Sequence, residues 1–265
     1  MAESIDELMA AAEAVARRGG AVLRERWAGP RTVDIKGSNI DLVTDADRAS
    51  EKAILDLLKS GWPTHDVVTE ESSAQIRGGS CRWYIDPLDG TTNYAHGVPH
   101  FCVSAGIEDS QGLAAGAVFQ PLTDELFLAG RGKGAFVNGR RIQVSQKNPL
   151  SQCLIATGFP YDIWTKPDRP LKLFREVITH ARGVRRFGAA ALDLAYVAAG
   201  RFDGFFELNL RPWDVAAGTL LVLEAGGLVT DMTGGPLKLD AGEILAGSQH
   251  THPELLALTR AVPRG

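Results

Sequence analysis

The chain of 265 residues is 45% apolar and 23% charged, the balance of a globular protein with a sizeable core, so a disordered tail and a fibrous chain are both excluded. Its 28 Lys+Arg against 32 Asp+Glu leave a net charge of −4, without the clustered positive charge that tracks phosphate backbones, and no direct nucleic-acid binding is expected. Cys81, Cys102 and Cys153 are odd in number and scattered, which points away from a disulfide framework and towards a reducing, cytoplasmic setting. The opening residues lack a basic segment ahead of an apolar run, and no stretch approaches the roughly 18 apolar residues of a spanning helix, so neither a signal peptide nor a membrane segment is expected.

Ser4 with Glu7 three residues on reads as a capping box, and Ile5, Leu8, Met9, Ala12, Val15, Val22 and Leu23 follow at helical spacing, with Gly19-Gly20 marking a weak point or an end. A second helix starts at Thr44 with Asp47 three residues on and stops at Gly61-Trp62-Pro63. Strand patterns then take over at residues 65–69, 82–85, 101–108, 113–120, 125–129 and 134–144. The last is broken by Asn138-Gly139, a hairpin signal that needs positive φ at both residues. Beyond residues 145–149 the elements alternate, with strands at 154–157, 202–207, 228–230 and 244–246 and helices at 170–180, 189–199, 215–225 and 252–260. Helices followed by an antiparallel sheet predict an α+β half over residues 1–146, and the later alternation an α/β half with a mixed sheet over 147–265.

The chemistry concentrates in Asp86-Pro87-Leu88-Asp89-Gly90-Thr91-Thr92-Asn93, which follows the apolar strand residues 83–85. In a straight strand Asp86 and Asp89 would point to opposite faces. A turn through Pro87-Leu88 brings both carboxylates to one side and can expose the Leu88 carbonyl between them, three hard oxygens of the kind Mg²⁺ prefers. The plain alternative is a type I turn. The N–H groups of Gly90 and Thr91, at a helix start, could hold a phosphate. Glu70-Glu71 closes an earlier strand, where alternation lets only one of the two face a given site. Asp214 opens a helix and reads equally well as an ordinary N-cap. Should Glu70, Asp86, Asp89 and Asp214 share a cleft, their repulsion raises their pKa values, and divalent cations relieve it.

Other groupings point elsewhere. His96 and His100, with Cys81 and Cys102, lack the tight pairs of a zinc site. The run Gly130-Arg131-Gly132-Lys133-Gly134 lacks the ending of a phosphate loop and reads as a hairpin connection. Arg182, Arg185 and Arg186 fit a solvated face, a subunit contact or a phosphate guide equally.

In order and spacing, Glu70-Glu71-Ser72, the Trp83-to-Asn93 segment and Trp213-Asp214-Val215-Ala216-Ala217-Gly218 resemble the inositol monophosphatase family. This is a Mg²⁺-dependent, lithium-sensitive phosphatase family whose superfamily also holds fructose-1,6-bisphosphatases and bisphosphate nucleotidases. The resemblance covers nearly the whole chain, including Asp41-Leu42-Val43-Thr44, Gly132-Lys133-Gly134-Ala135-Phe136 and Glu224-Ala225-Gly226-Gly227, and the stretch from Arg185 to Gly200 is most similar to bacterial members.

The fold it implies is a layered αβαβα sandwich, usually homodimeric, with the site between the two halves. It implies that Glu70, Asp86 and the Leu88 carbonyl hold one metal, that Asp86, Asp89 and Asp214 hold a second, and that Glu70 reaches a third, so two or three Mg²⁺ per site. Thr91, paired with Asp47, would orient the attacking water, with Glu70 beside it. Glu70, Leu88, Gly90 and Thr91 would meet the phosphate end of the substrate, and Asp89, Gly188, Ala189, Ala190, Glu207 and Asp214 its hydroxyls, with Arg185 close by. The implied reaction is hydrolysis of a phosphate monoester, foremost myo-inositol monophosphate, by direct in-line attack of water. The alternatives are the same chemistry on fructose-1,6-bisphosphate, a nucleotide bisphosphate or histidinol phosphate, or a regulatory protein working with the transcription machinery. One position departs from the family. Thr69 stands where Gly is usual, and a β-branched residue resists positive φ, so the loop before Glu70 would sit differently.

Overall fold

The computed structural model describes residues 3–30, 32–36 and 41–263. Helix α1 (Ile5–Arg26) starts with the expected capping box: the Ser4 hydroxyl accepts the Glu7 N–H, and the Glu7 carboxylate accepts the Ser4 N–H at 2.8 Å. It does not end at Gly19-Gly20. A Cβ on Gly19 would stand 2.7 Å from the Ile54 side chain, and one on Gly20 2.4 Å from the Phe119 ring. The glycines are therefore the point where α1 presses against helix α2 (Asp45–Gly61) and the first sheet, and that contact outweighs their poor helix propensity of about 1 kcal/mol each.

Strands β1 (Val33–Ile35) and β2 (Leu42–Thr44) form a short antiparallel ribbon. The sequence reading missed it because each has three residues and β1 is exposed throughout. The first large sheet takes β3 (Asp66–Thr69), β4 (Arg82–Asp89), β5 (Cys102–Asp109), β6 (Gly112–Gln120), β7 (Glu125–Gly130), β8 (Gly134–Val137) and β9 (Arg140–Arg141) in chain order. All neighbours in it are antiparallel except β3 and β4. The β8–β9 turn has the positive φ its residues announce, 46° at Asn138 and 76° at Gly139.

The second sheet comprises β10 (Leu154–Thr157), β11 (Gly183–Arg185), β12 (Gly204–Leu208), β13 (Leu228–Thr230) and β14 (Glu243–Gly247), in the order β11-β10-β12-β14-β13. Here β10 runs parallel to both neighbours and the remaining pairs are antiparallel. Among the described residues five further α-helices follow, α3 (Thr91–Ala95), α4 (Asp168–Ile178), α5 (Ala190–Ala198), α6 (Pro212–Glu224) and α7 (Thr251–Arg260), with a short 3-10 turn at Leu150–Gln152.

Helices α1 and α2 cover one face of the first sheet, α5 and α6 lie between the sheets, and α4 and α7 cover the far face of the second, giving the αβαβα layering. The small-residue helix α5 is buried almost completely within its own chain. Glycines set how closely the middle layer packs. A Cβ on Gly106 would stand 2.7 Å from Ala216 Cβ, and one on Gly116 2.9 Å from Ala217 Cα, so bare strand backbone in β5 and β6 is what lets α6 sit down on the first sheet. That contact carries Asp214, at the start of α6, towards β4.

Candidate active site

Strand β4 does not stop at residue 85, as the sequence suggested, but runs on to Asp89 through a bulge. Asp86 lies opposite Ser104 and Asp89 opposite Cys102, three steps on β4 against two on β5. The extra residue puts side-chain alternation back in phase, so Asp86 and Asp89 share a face. Both are buried, at 2% and 8% exposed. Asp86 Oδ1 accepts the Leu88 N–H at 3.0 Å, while Asp89 Oδ2 accepts the Ala191 N–H at 2.7 Å.

Asp214 is the third residue of α6 rather than its N-cap, which is Arg211, and its Oδ2 accepts the Arg211 N–H at 2.7 Å. The Ser104 hydroxyl, opposite Asp86 in the register, donates to the Trp213 carbonyl at 3.1 Å and holds the start of α6 against the bulge. Burial, then the charges of Glu70 and Asp89, push the Asp214 carboxyl well above its usual range. Burial with Glu70, Asp89 and Asp214 does the same to Asp86. Asp89 is raised to about 6 by burial and by Glu70, against the Ala191 hydrogen bond. The four acids anticipated from the sequence therefore feel one another's charge.

Glu70 and Glu71 both reach a residue that no spacing pointed to. Lys36 Nζ, just beyond β1, lies 2.8 Å from Glu70 Oε1 and also pairs with Glu71. Strand alternation does not separate the two glutamates because β3 stops at Thr69. Burial works to lower the Lys36 pKa, but the two carboxylates outweigh it and raise it. Burial raises Glu70 in turn, with Lys36 opposing. Thr69 lies within the strand, and its hydroxyl donates to Glu51 Oε1 at 2.8 Å, so this position needs no positive φ and takes a β-branched residue without strain.

Thr91 Oγ1 lies 2.9 Å from Asp47 Oδ1 and 3.0 Å from the Leu88 carbonyl. Asp47 is buried and held by the Thr44 N–H at 2.8 Å as part of the α2 capping box. Burial raises its pKa to about 6 despite hydrogen bonds from Thr44 and Thr91. Gly90, at φ 93°, is the N-cap of α3. A Cβ there would stand 3.0 Å from the His100 carbonyl, so both its conformation and its surroundings call for glycine.

On the second-sheet side, Glu207 lies near the end of β12, its carboxyl packed against Gly158. Burial raises it to about 8, with the charge of Arg186 opposing. Arg186 also acts on Asp193, a buried residue of α5 whose two carboxylate oxygens have no hydrogen-bond partner and whose pKa burial drives far up. Arg185 is exposed and donates to the Val184 carbonyl at 3.1 Å. Of the arginine cluster it is thus Arg186 whose charge Glu207 feels. Gly188, Ala189 and Ala190 form the entry to α5, with Gly188 at φ 78°. Asn93 Nδ2 ties this entry to α3, donating to the Phe187 carbonyl at 2.7 Å.

Carboxylates, one backbone carbonyl and no nitrogen or sulfur ligand form a hard-oxygen donor set, which fits Mg²⁺. Among the described residues, the one group of three with ligand atoms all within 4.8 Å of one another is Glu3, His65 and Cys81; Glu70, Asp86, Asp89 and Asp214 do not form such a group, and it is their charges that connect them. Trp83 Nε1–H donates to His65 Nδ1 at 3.0 Å and an indole can only donate. The His65 proton is therefore on Nε2, facing Glu3 at 2.8 Å, and the trio is a hydrogen-bonded tie rather than a metal site. His100 is partly buried, with a pKa lowered to about 4, and its Nε2 has no partner. In the 130–134 loop the Gly132 and Gly134 N–H groups donate to Glu224, at 2.7 and 2.8 Å, so a carboxylate fills the place a phosphate would need.

A model described as the inositol monophosphatase family matches residues 4–264 of the chain. A Rhizobium meliloti protein named inositol-1-monophosphatase is 47% identical over 220 residues, 82% of each chain. A Salmonella typhimurium protein named Nus factor SuhB is 43% identical over 248 residues, 92% of each. The crystal structure of the extragenic suppressor protein SuhB from Bartonella henselae superposes with a TM-score of 0.90 at 42% identity, covering 98% of this chain and 99% of that one.

Proposed function

The chain belongs to the inositol monophosphatase family and is a phosphatase, and from that premise we propose that the cleft between β4, α3 and α6 hydrolyses a polyol phosphate monoester, with myo-inositol monophosphate as its substrate and Mg²⁺ as its cofactor. The observation that carries this reading is the convergence of Glu70, Asp86, Asp89 and Asp214, whose mutual charge raises three of the four pKa values beyond what burial alone would do.

Glu70, Asp86 and the Leu88 carbonyl would hold one cation, Asp86, Asp89 and Asp214 a second, and Glu70 would reach a third. Bound there, Mg²⁺ supplies charge neutralisation on the phosphoryl and leaving oxygens and lowers the pKa of a water. The rest falls to the chain itself. The Thr91 hydroxyl, with its proton directed to Asp47 or the Leu88 carbonyl, keeps its lone pairs available to orient the incoming water. Asp47, raised to about 6, can take a proton near neutral pH through Thr91. The Gly90 and Thr91 amides would hold the phosphate, and Glu207, with Asp89, Asp214 and the Gly188–Ala190 backbone, would accept the hydroxyls of the leaving group. Arg185 stands at the rim.

The reading is tested by phosphate release from myo-inositol 1-phosphate, fructose-1,6-bisphosphate, a nucleotide bisphosphate and histidinol phosphate, with Mg²⁺ and with EDTA. Mg²⁺-dependent turnover with preference for the inositol ester is expected, and equal rates in EDTA would overturn it. The Nus factor name of the Salmonella relative supports a second reading, an additional role beside the transcription machinery. A homodimer and a cytoplasmic setting complete the proposal; among the described residues no helix is long and apolar enough to cross a membrane.

A further inference from the structure

The loop after β10 carries two exposed aromatic residues that the mechanism does not use, Tyr161 at 53% and Trp164 at 68% exposed. Here the loop is fixed from both ends. It begins at Gly158, so close to Glu207 that a Cβ would stand 2.1 Å from Glu207 Oε1. It is held four residues later, where Asp162 Oδ1 accepts from the side-chain amide of Asn209, two residues beyond Glu207, at 3.2 Å. Phe159 packs on Phe174 with ring centroids 5.7 Å apart, anchoring the loop to α4.

Tyr161 therefore projects from a rigid segment laid along the Glu207 side of the cleft. Burial raises the phenol pKa first, and the charges of Glu70, Asp214, Asp41 and Asp86 raise it further. Those carboxylates belong to the proposed metal site and its neighbourhood, so the phenol, on a loop anchored beside Glu207 and Asn209, lies within reach of the cleft's charges. Among the described residues its hydroxyl makes no hydrogen bond, leaving a donor free beside an acidic site.

We propose that Tyr161 is the specificity-determining wall of the leaving-group subsite, its ring face covering the C–H face of a cyclic polyol while Glu207 accepts hydroxyls at the polyol's rim. This rests on the reading of the cleft as a polyol-phosphate phosphatase and deepens it. A six-membered ring with equatorial hydroxyls has polar edges and an apolar face, which suits a carboxylate on one side and an aromatic ring across it. An open-chain polyol has no such face, and it loses rotor freedom on binding. The Tyr161 hydroxyl supplies one further hydrogen bond to a hydroxyl of the polyol.

The test compares kcat and KM of the wild type, Tyr161→Phe and Tyr161→Ala on myo-inositol 1-phosphate and on the open-chain glycerol 2-phosphate, all with Mg²⁺. Tyr161→Ala is expected to lower kcat/KM for the cyclic ester about tenfold or more, mainly through KM, and to change the open-chain ester less than about twofold. Tyr161→Phe is expected to lose about threefold on the cyclic ester alone, the worth of one neutral hydrogen bond. Equal factors on both esters, or no change on either, would overturn the proposal while leaving the phosphatase reading intact. A wild type that turns over neither ester, or only the open-chain one, would overturn the substrate reading and the wall together.

Discussion

Asp89 Oδ2 and the backbone N–H of Ala191 lie 2.7 Å apart although 102 positions separate them in the chain. The bond joins the bulged end of β4 to the first turn of α5, where N–H groups have no partner within the helix. An acid of the proposed metal site is thus aimed by the same helix entry that would meet the substrate. Replacing Asp89 by Asn keeps an oxygen for Ala191 but removes the charge. Turnover of the inositol ester is expected to fall at least about 100-fold, with far-UV circular dichroism unchanged. Wild-type turnover at saturating Mg²⁺ would remove Asp89 from the site.

The Thr91–Asp47 pair predicts a difference between hydroxyl and methyl at one position. Thr91→Val removes the donor that both Asp47 and the Leu88 carbonyl use, at 2.9 and 3.0 Å. A loss of about 10²–10⁴ in kcat is expected, with little change in KM. Thr91→Ser should restore most of it. A Ser variant as poor as Val would show that packing, not the hydroxyl, is what matters.

The glycines under α6 predict that metal affinity can be lost from beneath the helix that carries Asp214. Gly106→Val would push against Ala216 and the Ala217 N–H, whose distances from a bare Cβ are already 2.7 and 3.0 Å. Overpacking of this kind costs about 1–3 kcal/mol, and here the strain falls on the helix that carries Asp214. A lower melting temperature together with weaker Mg²⁺ binding by calorimetry is expected. Gly61→Ala, where a Cβ meets nothing within 4 Å, should change neither.

Stability should depend on pH in an unusual direction when metal is withheld. Glu207 is raised to about 8 and Asp89 to about 6, both above their ordinary values of 4.5 and 3.8. A carboxyl whose pKa rises on folding stabilises the fold fully below its unfolded pKa, and that contribution is lost as pH climbs through the folded pKa. In EDTA the melting temperature is therefore expected to fall between about pH 4.5 and pH 8, the span between the ordinary and the folded value of Glu207. Mg²⁺ should reverse most of the fall near pH 8, since it binds the ionised cleft. A metal-free protein that grows more stable over this range would contradict the crowded-acid description.

Much of the protein was legible in advance where the signal is local. Capping boxes at Ser4 and Thr44, the Asn138-Gly139 turn and the alternation after residue 154 depend on contacts within a few residues, and these elements formed close to where they were read, apart from the three-residue strand β11, which the sequence reading missed. The acid-rich motifs were legible only as candidates, since Asp86-to-Gly90 also reads as a plain turn and Asp214 as an ordinary N-cap, and it was the family resemblance that singled them out.

What eluded the linear reading lies in contacts across the chain. That Gly19-Gly20 continue a helix is decided by Ile54 and Phe119. That Asp86 and Asp89 share a face comes from a register of three against two with β5, where a turn had been expected. Lys36 beside Glu70, Arg186 rather than Arg185 near Glu207, the unpartnered Asp193 and the poised Tyr161 carry no periodic or spacing signal at all. Sequence by itself determined which elements and which acids this protein has, since propensity, capping and turn chemistry act over a few residues. Only the tertiary structure decided which charges meet, because electrostatics and packing follow distance in space, and the sheet register and the glycine-thin seats of α1 and α6 set those distances.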